Sequence, residues 1–296
     1  MVFMKNIIIL YILLLSPSCY SQSVADKAIS YLDMGNVTAA KMLLNEQVNK
    51  NNKDLIVFEL LGDIASFEKE WDKAICYYEK LILSKPEKAS FNLKYGGALG
   101  MKALSVSRFQ AVVYVSDIKK YLTIAAEQDR SQIESRRALV ELYIKLPGVL
   151  GGSEEKAETY AEELTNLSPV NAYLAKGFIT KENQSIEEAL VYYKNAFNKY
   201  RNTSTKLKSN SLNYELGKVA VELKLEPQYG IQLLDNYAAN YSYKDICSME
   251  WVYFRKAQIL ANMRNKKAAL AYIDKALTLK GDFKAALAEK RRIMDL

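Results

Sequence analysis

Residues 55–88 read LIVFELLGDIASFEKEWDKAICYYEKLILSKPEK, and this stretch decides the fold. Phe58, Leu61, Gly62 and Ala65 follow one another at helical spacing, so they share one stripe of a helix. Ala74, Tyr78 and Leu81 form a second stripe, and Pro86 closes it. Gly62 and Ala74 are the small residues that let two such helices come close. Ala40 stands 34 residues before Ala74 in the same local frame. A single helical hairpin cannot bury its apolar stripes alone, so a 34-residue repeat of this kind stacks into a solenoid.

The same frame runs outward in both directions. Residues 21–54 place Ala28, Tyr31, Ala40 and Leu44 in matching positions, with Gly35-Asn36 as turn and cap. After Ala89, Gly96 and Leu99 keep the phase. The second stripe then arrives late, on Ile118, Leu122 and Ala125, and Ser105-Val106-Ser107 reads as a break. A fourth unit opens on an expected capping box, Ser131-x-x-Glu134, and carries Leu139, Leu142 and Tyr143. It is interrupted by Pro147-Gly148-Val149-Leu150-Gly151-Gly152-Ser153, after which Ser153 is expected to cap a helix bearing Ala157, Ala161 and Leu164. A fifth unit holds Tyr173, Gly177, Ala189, Tyr193 and Ala196, with a second expected capping box at Ser185-x-x-Glu188. A sixth holds Tyr214, Gly217, Ala220, Gly230 and Leu234, and a seventh Tyr253, Ala257, Leu260, Ala269, Ile273 and Ala276. Residues 283–296 read as a final helix with Lys290, Arg291 and Arg292 on its exposed side, a polar cap to the stack.

These positions, above all those of residues 55–88, resemble the tetratricopeptide repeat family. The resemblance spans nearly all of the chain after its first residues, and the PGxxGGS turn is similar to one found in exported bacterial members. It implies an all-α, right-handed superhelical solenoid of about seven hairpins with a C-terminal capping helix. The expected organisation is a signal peptide over 1–21, repeats over 22–203, a polar hinge at 204–209, and repeats with the cap over 210–296. In this family the first helices line a groove. Carried over by phase, the groove residues are Ile56, Glu59 and Asp63, then Leu93 and Gly97. Tyr214 and Lys218 follow, then Trp251, Phe254 and Gln258. The Lys and Asn residues that some members use to clamp a terminal carboxylate are absent, because the corresponding positions hold Glu59 and Asp63, Leu93 and Gly97, Leu174 and Phe178. Trp251 and Phe254 serve either as aromatic anchors for a peptide or as packing for a neighbouring repeat.

The N-terminus has the composition of an export signal: Lys5, an apolar run from Ile7 to Leu15, and a small, polar exit from Ser16 to Ser21. Nine apolar residues span about 14 Å as a helix, against roughly 30 Å of hydrocarbon, so a permanent span is not expected. Cleavage after Ser21 leaves Gln22 first. The rival is lipid attachment at Cys19, within a lipobox-like Ser16-Pro17-Ser18-Cys19. Cys76 and Cys247 fall in separate repeats and are expected to be free, mostly buried thiols.

The chain has no His, which removes Ser-His-Asp and Cys-His nucleophile systems and His-ligated zinc. Glu154-Glu155 and Glu187-Glu188 sit in first helical turns, where they suit the helix dipole better than acid–base work. The Gly148–Ser153 stretch lacks the Lys of a phosphate loop. The net charge of +7 is spread among acidic neighbours, and no nucleic-acid partner is implied. No cofactor or metal is expected. The composition and repeats point to an exported protein-interaction scaffold in the bacterial periplasm or envelope, with a protein or peptide partner. The alternative is an outer-membrane lipoprotein assembly factor anchored at Cys19, which alone would bring a membrane into contact. A third, an enzyme, needs a site the sequence does not display.

Overall fold

The computed structural model describes residues 23–50, 53–202 and 209–296. The expected signal peptide, Cys19, Gln22 and all of the expected hinge except Ser209 lie outside them. Among the described residues there are fifteen α-helices and a single 3-10 turn. In chain order they are α1 (Val24–Asp33), α2 (Val37–Asn49), α3 (Leu55–Phe67), α4 (Trp71–Ser84), α5 (Ala89–Ser105), α6 (Arg108–Gln128), α7 (Ile133–Lys145) and α8 (Glu154–Leu167). Then come α9 (Pro169–Glu182), α10 (Ile186–Arg201), α11 (Asn210–Glu222), α12 (Pro227–Ala239), α13 (Met249–Asn262), α14 (Lys266–Leu279) and α15 (Lys284–Met294). They pack two by two along the chain, and α15 lies against α14 and α13. The fold is an all-α solenoid.

Small side chains set each hairpin's spacing. Ala40, Ala74, Ala189 and Ala269 are all fully buried, each on the second helix of its pair. Across from Ala74, a methyl group on Gly62 would stand 2.3 Å from the Tyr78 ring. Real carbon contacts never approach so closely, so the α3–α4 pair tolerates no side chain there. First helices also touch the first helix of the next pair, as α1 touches α3 and α7 touches α9. Between α3 and α5, and between α9 and α11, the link is made by long side chains, Lys94 to Asp63 and Lys181 to Glu222.

The third pair departs from the repeat as its late second stripe implied. Both α5 and α6 are lengthened, and the break falls at Val106-Ser107, where Ser107 and Gln110 build a capping box the sequence reading did not name. The Pro147–Ser153 interruption is a 3-10 turn over Gly148–Leu150. Gly151 has φ +82°, and a methyl group on Gly152 would fall 1.9 Å from the Leu146 carbonyl oxygen, so both glycines are required by the turn. Ser153 caps α8 as expected, and Asn36 caps α2 after Gly35 in the left-handed region.

Three local expectations are corrected. Ser131 does not begin a capping box, because the Asp129 carboxylate takes both its amide (2.8 Å) and its hydroxyl (2.6 Å). Helix α7 therefore starts at Ile133 with Gln132 as an N-cap without a side-chain bond. Ser185 does cap α10 by position, but its hydroxyl turns to Glu188 at 3.3 Å and takes no backbone amide. Both thiols are free, yet Cys76 is exposed and Cys247 half-buried, since Cys76 falls on the outer stripe of α4 between the buried Ala74 and Tyr78.

Candidate functional site

The inner layer of first helices is where side chains from different repeats meet, and it divides into two stretches. In the N-terminal stretch, Lys94 on α5 reaches back to α3. Its ammonium donates to both Asp63 carboxylate oxygens at 2.7 Å and pairs with Glu59 at 2.8 Å. The Tyr78 hydroxyl adds a bond to Asp63 at 2.7 Å and lies 3.2 Å from the Ser66 hydroxyl. Burial pushes the Asp63 carboxyl above the usual carboxylate range, against the opposing pull of Lys94 and Tyr78. Glu59 and Asp63, expected in the groove, are thus already paired within the chain.

The same stretch is not empty. The segment Asn240–Ser248, between α12 and α13, crosses to the N-terminal hairpins. Tyr243 is only 7% exposed and belongs to the buried cluster of Ala28, Leu32, Val57, Leu60, Leu61 and Ile64. Burial raises the Tyr243 hydroxyl to about 12, and Asp63, Asp33 and Glu59 push in the same direction. Tyr241 packs its ring on Phe67 with centroids 5.8 Å apart. Lys69, just past α3 at φ +61°, donates to Ser248 at 2.6 Å and to Glu250 at 3.0 Å. The two ends of the solenoid meet through these contacts, about 180 residues apart in sequence.

In the C-terminal stretch the pairs run from helix to helix. Arg137 on α7 bonds Asn171 on α9 at 3.3 Å and lies 3.6 Å from Glu215 on α11 and from Glu141. Lys181 on α9 pairs with Glu222 on α11 at 3.0 Å, and Arg255 on α13 approaches Glu222 at 3.6 Å. Glu141 is more than half exposed, and partial desolvation by the protein around it pushes its carboxyl up against the pull of Arg137.

The expected groove residues divide accordingly. Ile56, Leu93, Lys218 and Gln258 are half-buried, and Ile56 and Leu93 lean on the core. Space is open around Gly97. Tyr214 and Phe254, expected to face a partner, are buried at 9% and 5% exposure. Phe254, Trp251 and Phe283 form an aromatic cluster with ring centroids 4.6–5.7 Å apart, which seats the start of α15. The packing reading of Trp251 and Phe254 is the one the structure realises. Arg137, Glu141, Glu215 and Glu222 were not named from sequence. Arg137 and Glu215 lie two hairpins apart, so the repeat period does not register their pairing.

The terminal hairpin decides the family resemblance. Residues 252–283, spanning α13, α14 and the start of the cap, match the tetratricopeptide repeat. That hairpin is similar to the tetratricopeptide repeat. The whole fold of the chain is that of tetratricopeptide solenoids. A tetratricopeptide repeat protein from Parabacteroides merdae ATCC 43184 superposes with a TM-score of 0.54 at 12% identity, covering 92% of this chain and 97% of its own. The Cut9–Hcn1 structure of the APC/C hetero-tetramer gives the same TM-score at 14% identity, over 91% of this chain and 48% of that one. At these identities the likeness is one of fold. No curated protein matches the sequence. Among the described residues, no cluster of three or more His, Cys, Asp or Glu is placed to hold a metal ion. No helix among them is long and apolar enough to cross a membrane.

Proposed function

We propose that this chain is an exported scaffold that holds a protein or peptide partner on the inner face of α7, α9, α11 and α13. The observation that carries the reading is the helix-to-helix pairing of Arg137 with Glu215, and of Lys181 and Arg255 with Glu222. Side chains held by neighbours before a partner arrives lose little freedom on binding, so they favour a stable complex. Lys218, Gln258 and the half-buried ring of Phe178 stand on the same helices and offer polar and aromatic contacts to an extended segment. The N-terminal Lys5, the apolar run Ile7–Leu15 and the small exit residues support export, with Gln22 as the first mature residue. Acylation at Cys19 makes it instead an envelope-anchored assembly factor.

Two measurements test this. Cross-linked capture from the native envelope should recover a partner with the natural chain and lose it with the double variant Lys218→Glu, Gln258→Glu. A double variant that keeps every partner contradicts the assignment of this face. The mass of the mature N-terminus separates the two modes of export, since an acylated Cys19 and a Gln22 end differ by whole acyl chains.

A further inference from the structure

The segment Asn240–Ser248 is built as a ligand. The Asp245 carboxylate accepts from the Ser242 amide at 2.9 Å and from the Asn210 side chain at 3.1 Å, and the Tyr237 hydroxyl donates to the Cys247 carbonyl at 2.6 Å. These bonds fix the turn from its own side, on α11 and α12, so Tyr241 and Tyr243 are presented already shaped. The receiving surface has the complementary character. Its floor is apolar, from Leu32, Val57, Leu60 and Ile64, and Tyr243 is buried against it at 7% exposure. Lys244, itself exposed, lies over the Tyr243 ring at 5.3 Å, so the turn presents a ring and an ammonium together.

We propose that this segment is a latch: it occupies the inner face of α1 and α3 in cis, and that face is a receptor for a tyrosine–lysine turn. The inference rests on the scaffold reading and extends it to a second, self-covered site. A partner presenting the same chemistry reaches the site only when the latch is released. Its affinity in the closed chain is lowered by the fraction of molecules that are open. Lys69 with Ser248 and Glu250 is the tether that biases the chain toward closure.

The test is a labelled peptide of residues 240–248, NYSYKDICS, titrated by fluorescence anisotropy against full chains. The natural chain should bind weakly. Tyr243→Ala, which empties the pocket, should bind about tenfold tighter or more. Lys69→Ala, which cuts the tether and leaves the pocket untouched, should fall between them, which guards against misfolding of the first variant. A peptide with its second Tyr replaced by Ala should bind none of them. Equal binding to all three chains would mean the segment covers nothing. No binding to either variant would mean that the face is a packing surface and not a receptor. Either result overturns the latch while leaving capture on α7–α13 unaffected, so the two readings fail separately.

Discussion

The two stretches of inner surface are made from the same kind of helix and carry similar charges, yet they are held differently: among the described residues, one buries a tyrosine from the far end of the chain and the other is tied by ion pairs between its own helices. On α3 and α5, Glu59, Asp63 and Lys94 form a compact triad, and Tyr243 from the far end of the chain is buried against α1 and α3. On α7 to α13, Arg137, Glu215, Lys181, Glu222 and Arg255 form an open ladder. A groove position is therefore defined by what lies above it as well as by its phase in the repeat.

The largest expected effect breaks the covered side. Tyr243→Ala removes a buried aromatic ring, a change that costs about 3–5 kcal/mol in a packed core. Because solenoid repeats are coupled mainly to their neighbours, the loss should be local. Hydrogen exchange should speed up in α1 to α3 and stay unchanged in α9, α10 and α14. Uniform acceleration along the chain would show that the segment holds the whole solenoid and not one face.

Lys94→Met comes next. It strands Asp63 and Glu59, both partly buried, and should cost about 2 kcal/mol at neutral pH. The Asp63 pKa is already above its unfolded value, so ionising this carboxyl works against folding as pH rises through that pKa. The cost of Lys94→Met should accordingly shrink toward pH 4, as read by urea unfolding at both values. An equal cost at the two pH values would mean the lysine contributes by packing alone.

Lys69→Ala should cost about 1 kcal/mol, since Lys69 is largely solvated while Glu250 is nearly covered. The loss should appear in the same peptides as for Tyr243→Ala, at smaller amplitude. Glu141→Gln sharpens the open side with the smallest change. Its raised pKa means that the ionised form is disfavoured in the folded chain, so the variant should be slightly more stable at pH 7 and no different near pH 4. A destabilised Glu141→Gln at pH 7 would show that its pairing with Arg137 outweighs the crowding.

The sequence carried the scaffold well because each small residue reports on its own hairpin. Ala40, Ala74, Ala189 and Ala269 are buried where the 34-residue frame puts them. The site was only half legible. Phase named Glu59 and Asp63, which Lys94 pairs, but it placed Tyr214 and Phe254 on a surface when both are buried. Phe283, beyond the repeat proper, closes over Trp251 and Phe254, and a within-repeat period does not register it. The turn at 240–248 looked like an ordinary connection, since nothing local says that Tyr243 packs against the first hairpins, on residues from Ala28 to Ile64. Its one hint was composition, two tyrosines flanking Ser242 in an otherwise polar stretch.

Closure of the solenoid on itself is the claim on which the comparison stands, and zero-length carbodiimide coupling tests it most directly. The reagent joins an amine to a carboxylate only when the two are in contact, as Lys69 and Glu250 are at 3.0 Å. A closed chain gives a monomer in which mass spectrometry finds Lys69 linked to Glu250, and the link is lost in Tyr243→Ala. Lys69 joined only to its sequence neighbours Glu68 or Glu70, with no link to Glu250 in the natural chain, would contradict it.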